Sequence, residues 1–290
     1  MSTVEEGENM YEESKRTMIL KYFQPFPDWA FLAVLLGVSL LFLWILSFGE
    51  ADEMTTLLGV FGLIAAIVGV VLIYSHLKGQ PSDYQVDKWL EEDLKYLSRR
   101  AVDKCGADDS ELIAEPVTIT GPYIWYTGDA KVLFKKGKDN ILRFTPIRVV
   151  VVNFTQKQLL IYSCVYDLID GKLLNESTDE YFFKDVVSVS TRLESMSITI
   201  PESVYKLLAR QSWKQSWKLG NSLRGRATSG TNTIQLNNVE TFTLTTTGGT
   251  SISIVLRDPD LTKIMGGGVI PTTRAEKAVQ VIRKMILENK

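Results

Sequence analysis

The sequence predicts an α+β protein: a two-helix transmembrane hairpin, then an antiparallel β-barrel or β-sandwich domain with a C-terminal capping helix. Three observations carry this reading. Two runs, Trp29 to Phe48 and Thr55 to Tyr74, are each 20 residues long and contain no Asp, Glu, Lys or Arg. From about Pro116 the pattern changes to short segments rich in Val, Ile, Thr, Tyr and Phe, separated by turn residues. Near the end, Ala275, Ala278, Val279, Ile282 and Ile286 form one apolar stripe at helical spacing.

Residues 1–28 open with Glu5, Glu6, Glu8, Glu12 and Glu13 and read as a solvated cytoplasmic tail. Tyr22, Phe23 and Phe26, broken by Pro25 and Pro27, then approach the bilayer, and Asp28 is placed to cap the first span. At 1.5 Å per helical residue each run reaches about 30 Å, the thickness of a bilayer hydrocarbon core. Only six residues separate the runs, so residues 29–74 read as a hairpin. Lys15, Arg16 and Lys21 precede it, and Lys78, Lys88, Lys95, Arg99 and Arg100 follow it. The connecting turn instead holds Glu50, Asp52 and Glu53 and no cation. Flanking cations mark the cytoplasmic side, so a two-pass topology with both termini cytoplasmic is expected. A cleaved signal peptide competes for the first run, but 28 residues precede that run and no clear small-x-small cleavage site follows it. Trp29 and Trp44 are candidates for interfacial belts. In the second run Gly62 with Ala66, and Ala65 with Gly69, are small-xxx-small pairs. Such pairs let backbones approach closely, within the hairpin or between copies in a homo-oligomer.

Residues 82–106 read as an amphipathic linker helix, with Val86, Leu90, Leu94, Leu97 and Ala101 at helical spacing and Trp89 beside them. The β domain, 115–290, offers the strands Val117 to Thr120, Ile124 to Tyr126, Val132 to Phe134, Ile141 to Phe144, Ile147 to Phe154, Gln158 to Val165, Tyr181 to Phe183 and Val186 to Thr191. Two more, Thr241 to Thr246 and Ser251 to Leu256, flank Thr247-Gly248-Gly249-Thr250, whose glycines supply the positive φ that a tight hairpin demands. Thr273 followed by Glu276 has the form of a capping box for the last helix, whose stripe suits the open end of a small barrel.

This strand order with a final helix resembles the pleckstrin-homology-like superfold, including its membrane-anchored bacterial versions. The local likeness runs from Ile147 to Val189, where Val-Val-Val-Val-Asn-Phe-Thr-Gln-Lys-Gln-Leu-Leu-Ile-Tyr leads on to Glu-Tyr-Phe-Phe-Lys-Asp-Val-Val-Ser-Val. The hairpin from Phe242 to Leu256 and the helix after Thr273 continue it. The resemblance implies binding and scaffolding more often than catalysis, and a plasma membrane address, the bacterial inner membrane.

Global charge says little about partners, because 32 basic and 34 acidic residues are unevenly placed. Between Ser203 and Val239 lie six cations, Lys206, Arg210, Lys214, Lys218, Arg224 and Arg226, and no acid. Cys105 and Cys164 are far apart with no CxxC, and His76 is the lone histidine. Sites for zinc, haem or iron–sulfur clusters are therefore disfavoured, no metal or cofactor is expected, and two unclustered thiols suit a reducing compartment. His76 stands at the membrane boundary, so the domain cannot assemble a His-based triad.

Two constellations are candidates for binding. The turn Lys135-Lys136-Gly137-Lys138, with Lys131, Arg143 and Arg148 around it, resembles in type the basic loop by which phosphoinositide-binding pleckstrin-homology domains hold phosphates. A cationic loop beside an anionic leaflet gains roughly 1 kcal/mol per Lys or Arg, although a solvated hairpin tip explains the same residues. The second is the insertion 202–233, where Lys206, Arg210, Lys214 and Lys218 recur every four residues and Trp213 and Trp217 lie four apart. That face suits a lipid head-group layer or an acidic protein partner, with nucleic acid as a lesser alternative and a solvated helix as the plain one. Gly266-Gly267-Gly268 lacks a following Gly-Lys-Ser/Thr, so it reads as a hinge and not a nucleotide loop. The favoured expectation is a non-enzymatic membrane-anchored adaptor that recruits a protein partner or anionic lipid at the cytoplasmic face of the lipid bilayer. The alternatives are a sensor or effector whose hairpin perturbs the bilayer on ligand binding and, more distantly, a membrane-bound hydrolase.

Overall fold

The computed structural model describes residues 3–47, 53–123, 130–202, 204, 206, 233–265, 267–271 and 273–289. The chain divides into two compact units, Met1–Ser82 and Asp83–Lys290.

In the first unit the glutamate-rich start belongs to a helix, α1 (Thr3–Phe23). Its acids sit one turn from cations: Glu12 accepts from Arg16 at 2.9 Å and from Lys15 at 3.4 Å, the spacing that supports an exposed helix. Two helices are long and apolar enough to cross a membrane, α2 (Asp28–Leu46) and α3 (Glu53–Lys78), with mean hydropathies of 2.5 and 2.8. Pro27 occupies the N-cap position of α2 without a side-chain capping bond. Asp28 is thus a first-turn acid favoured by the helix dipole, not the expected cap.

Glycine determines how α2 and α3 meet. A Cβ on Gly37 would lie 2.5 Å from the Gly62 carbonyl oxygen and 2.6 Å from the Ala66 nitrogen. One on Gly69 would lie 2.8 Å from the Ala30 carbonyl oxygen, and one on Gly59 would strike the Trp44 ring at 2.5 Å. Backbone meets backbone at Gly37 and Gly69, and the Trp44 ring lies against the Gly59 backbone, approaches that small residues permit. Trp44 is therefore packed over Gly59 in the helix pair.

The second unit begins with α4 (Asp83–Lys104). The strands β1 (Ala114–Pro122), β4 (Ile147–Phe154), β5 (Gln158–Asp167) and β6 (Lys172–Phe182) form an antiparallel sheet in the order β1-β4-β5-β6. A hairpin, β2 (Leu133–Lys136) and β3 (Leu142–Thr145), stands between β1 and β4 in sequence. A second sheet has the order β7-β8-β9, from β7 (Val186–Thr199), β8 (Thr233–Thr246) and β9 (Ser251–Arg257). A short helix, α5 (Pro259–Ile264), and the final helix, α6 (Thr273–Asn289), complete the unit.

Strands β4 and β5 are buried along nearly their whole length, which is why they read as continuous apolar runs. Val150, Val152, Phe154, Leu159 and Ile161 enter one core with Phe242 and Leu244 of β8, Ile252 and Ile254 of β9, and the α6 stripe. Strand alternation turns Val149, Val151, Tyr162 and Cys164 to the opposite face, and α4 packs across β1, β4 and β5. All five stripe residues of α6, Ala275, Ala278, Val279, Ile282 and Ile286, are buried. Each larger aliphatic among them contributes roughly 1.5–3 kcal/mol on leaving water.

Several expectations need correction. Among the described residues no strand ladder joins the two sheets, so they pack over a shared core without closing into a barrel. Strand β6 starts at Lys172 and β7 runs on to Thr199, well beyond the apolar segments that mark them in the sequence. The glycine run is docked and not a free hinge. Gly267 and Gly268 take φ of +75° and +122°, and Val269 exchanges backbone hydrogen bonds of 2.9 Å with Asn140 and Leu142. Strand Ile124 to Tyr126 lies outside the described residues. Helix α6 starts at Thr273 itself, whose side chain lies outside them too.

Candidate functional site

The basic hairpin turn is where the sequence and the geometry differ most. Residues Leu133–Lys136 pair with Leu142–Thr145 in register, which sets Lys135 directly opposite Arg143. Two like charges across a ladder repel, and three aspartates answer them. Arg143 donates from Nε and Nη2 to the two carboxylate oxygens of Asp87, both at 2.7 Å. It also donates from Nη1 and Nη2 to Asp139, at 3.1 and 2.7 Å. Asp83 accepts the Lys138 backbone N–H at 2.8 Å and stands 3.9 Å from Arg143. The Arg143 side chain is only 6% exposed. Arg143 thus fastens the first turns of α4 to the hairpin, a planar fork gripping two carboxylates.

These contacts shift the local acidities. The hydrogen bonds from Arg143 hold the Asp139 carboxyl down at about 2. Burial lowers the Lys135 ammonium, Lys138 lowers it further, and Asp83 opposes both. A Cβ on Gly137 would meet the end of the Asp83 side chain at 2.8 Å and the ends of Arg143 and Asp139 closer still, so a larger residue there would displace these side chains. Of the four candidate cations in this turn, Arg143 is committed to carboxylates. Lys135 and Lys136 are half-buried, and Lys138 is exposed.

A second network ties the other end of α4 to the sheet. Arg100 donates to both carboxylate oxygens of Glu176, at 2.7 and 3.0 Å. The Tyr162 hydroxyl donates to the same carboxylate, and Lys104 lies 3.8 Å from it. Arg100, above all, holds Glu176 down at about 2, while burial drives the Tyr162 hydroxyl well above its usual range. Burial also pushes the Cys164 thiol up to about 11, so it is an unreactive core thiol at neutral pH.

The basic insertion is placed by its roots. Strands β7 and β8 pair continuously to Thr199 and Thr233, whereas β9 covers β8 only from Glu240 onward. Residues 233–239 of β8 therefore form with β7 a two-stranded ribbon, in which Ile198, Ile234, Leu236 and Val239 are buried. Thr199 and Thr233, paired at its far end, are the strand residues that flank the insertion. Asp260 of α5 steadies the ribbon by accepting from the Asn237 N–H at 2.9 Å, and Asp258 caps α5 at the Leu261 N–H, 2.8 Å away. Lys206 pairs with Glu202 at 2.7 Å, both side chains open to solvent. Arg210, Trp213, Lys214, Trp217 and Lys218 lie outside the described residues.

In the first unit, Gly62, Ala66 and Gly69 meet α2 within the chain, and Ala65 is half-buried. Their contacts favour the intrachain reading of the small-residue pairs over one between copies. Gly37 and Gly59 belong to the same seam and were not singled out by the small-xxx-small pattern. A readable signal existed in Gly37, the sole glycine of the first apolar run. Asp83, Asp87, Arg100 and Glu176 were also missed. Only the four-residue spacing of the two aspartates hints at a shared helix face. Among the described residues no group of three or more His, Cys, Asp and Glu side chains is arranged to hold a metal ion. In comparisons with protein-family profiles, curated proteins and solved structures, the chain matches none.

Proposed function

We propose that the chain is a non-enzymatic, membrane-anchored adaptor: α2 and α3 cross a bilayer twice, and the second unit presents a binding surface at the cytoplasmic face. One observation carries the membrane part of this reading. The outward faces of α2 and α3 are apolar and open, with Leu36, Phe42, Leu57 and Phe61 each more than half exposed. An apolar surface of this extent calls for lipid or a partner around it, and a helix pair satisfies its own backbone there. The cations Lys15, Arg16, Lys21 and Lys78 support cytoplasmic termini. Two antiparallel sheets, seven strands in all beside the β2–β3 hairpin, with a C-terminal helix in their core, support the pleckstrin-homology-like reading of the second unit.

The ribbon-borne segment with Lys206, Arg210, Trp213, Lys214, Trp217 and Lys218 is the contact surface we favour. The Lys135 to Lys138 turn is the lesser candidate, because its Arg143 is spent internally. Replacing Lys206, Arg210, Lys214 and Lys218 together with Glu should abolish binding of the full-length protein to phosphatidylglycerol liposomes or to its crosslinked partners. The thermal melt should stay unchanged. Binding that survives the fourfold reversal overturns the assignment. Resistance of the wild-type protein to alkaline carbonate extraction tests the anchor separately.

A further inference from the structure

The end of the helix pair where α2 begins and α3 finishes holds a cleft of about 280 Å³, close to the lower end of small-ligand pockets, roughly 300 Å³. Its walls come from three elements: the last turn of α1, the first turn of α2 and the final turns of α3. We propose that this cleft binds the phosphodiester head group of an anionic phospholipid. This rests on the membrane reading above and adds a ligand to it.

The chemistry of the walls is divided. Lys21, Gln24, Ser75 and His76 supply polar groups, and Pro27, Trp29 and Leu72 supply apolar surface. The Lys21 ammonium lies 3.6 Å from the point where a Cβ on Gly79 would stand, so the missing side chain leaves the cation room at the wall. His76 has a defined role as well. The Gln80 amide nitrogen lies 2.8 Å from its Nε2, and this hydrogen bond holds the ring in place. Phe26 meets that ring edge to face, at 5.7 Å between centroids, and fixes its plane. None of the lining residues carries a carboxylate. An ammonium with amide, hydroxyl and imidazole groups near an indole matches a phosphate with glycerol and acyl carbons attached better than a free anion.

Position agrees with chemistry. Trp29 lies one residue inside the start of α2, and His76 lies two residues before the end of α3. In an antiparallel pair spanning a bilayer, both ends stand at head-group depth.

The test uses full-length protein in nanodiscs and in detergent, with phosphatidylglycerol or phosphatidylcholine as the added lipid and native mass spectrometry as the readout. Wild-type protein should retain phosphatidylglycerol over phosphatidylcholine and keep it in excess inorganic phosphate. Lys21→Ala should weaken retention about tenfold, the effect of one charged hydrogen bond. Gly79→Leu, which fills the cleft and leaves Lys21 in place, should do the same. Equal retention of the two lipids, or unchanged retention in both variants, overturns the proposal. Displacement by inorganic phosphate assigns a free anion and overturns the lipid source. Carbonate extraction separates this from the reading beneath it. Protein that stays in the membrane yet shows no lipid preference defeats the cleft alone, whereas protein stripped from the membrane defeats both.

Discussion

At Arg143 four short hydrogen bonds run from one guanidinium to two carboxylates. Arg143→Ala would remove the guanidinium that grips Asp87 and Asp139 and stands 3.9 Å from Asp83. A loss of about 2 kcal/mol is expected, below the range for fully buried pairs because the carboxylates are partly solvated. Arg143→Lys should recover only part of it, since an ammonium cannot grip two carboxylates in one plane. Urea or thermal melts of the detergent-solubilised protein measure both. Acid should act through the same contacts. Glu176 falls from its ordinary 4.5 to about 2, and Asp139 from 3.8 to about 2. A depressed carboxyl binds fewer protons folded than unfolded, so its contribution is complete above about pH 4.5 and is lost as pH falls towards 2. Melting temperature against pH should decline through that window, and Glu176→Gln with Asp139→Asn should flatten the decline. The sequence displayed the cations of this turn but hid their partners. Arg143 and Asp87 are 56 positions apart, and no local rule pairs residues across such a gap.

At the level of elements, the α2–α3 seam is the most sensitive packing. Gly37→Leu places a side chain where the Gly62 carbonyl already sits, and the helices must part. A loss of about 3 kcal/mol is expected, the upper end for overpacking. Leu36→Ala, on the open face beside it, should cost much less in the same detergent melt. Equal effects would show that the seam does not hold the pair. Legibility follows burial. Strands β4 and β5, buried on both faces, announce themselves as apolar runs, and the α6 stripe is visible for the same reason. Strand β6 is exposed over residues 175–180 and carries no apolar alternation there, so its ladder hydrogen bonds define it. The outer half of β7 partly or fully buries just Met196 and Ile198, too short an alternation to mark a strand by itself. Helix α1 was hidden because its glutamates read as solvated whether or not they are helical.

For the whole molecule, the second unit owns a core that draws on both sheets and α6. Residues 83–290 expressed alone should therefore be soluble and melt cooperatively. Aggregation of that fragment would show that its core is incomplete without the first 82 residues. The ribbon has a further consequence. Just past its far end the first cation of the insertion, Lys206, stands 2.7 Å from Glu202, both side chains open to solvent. That separation is well inside the Debye length of about 8 Å at physiological ionic strength, so an anionic surface that recruits Lys206 must compete with a carboxylate of the chain itself.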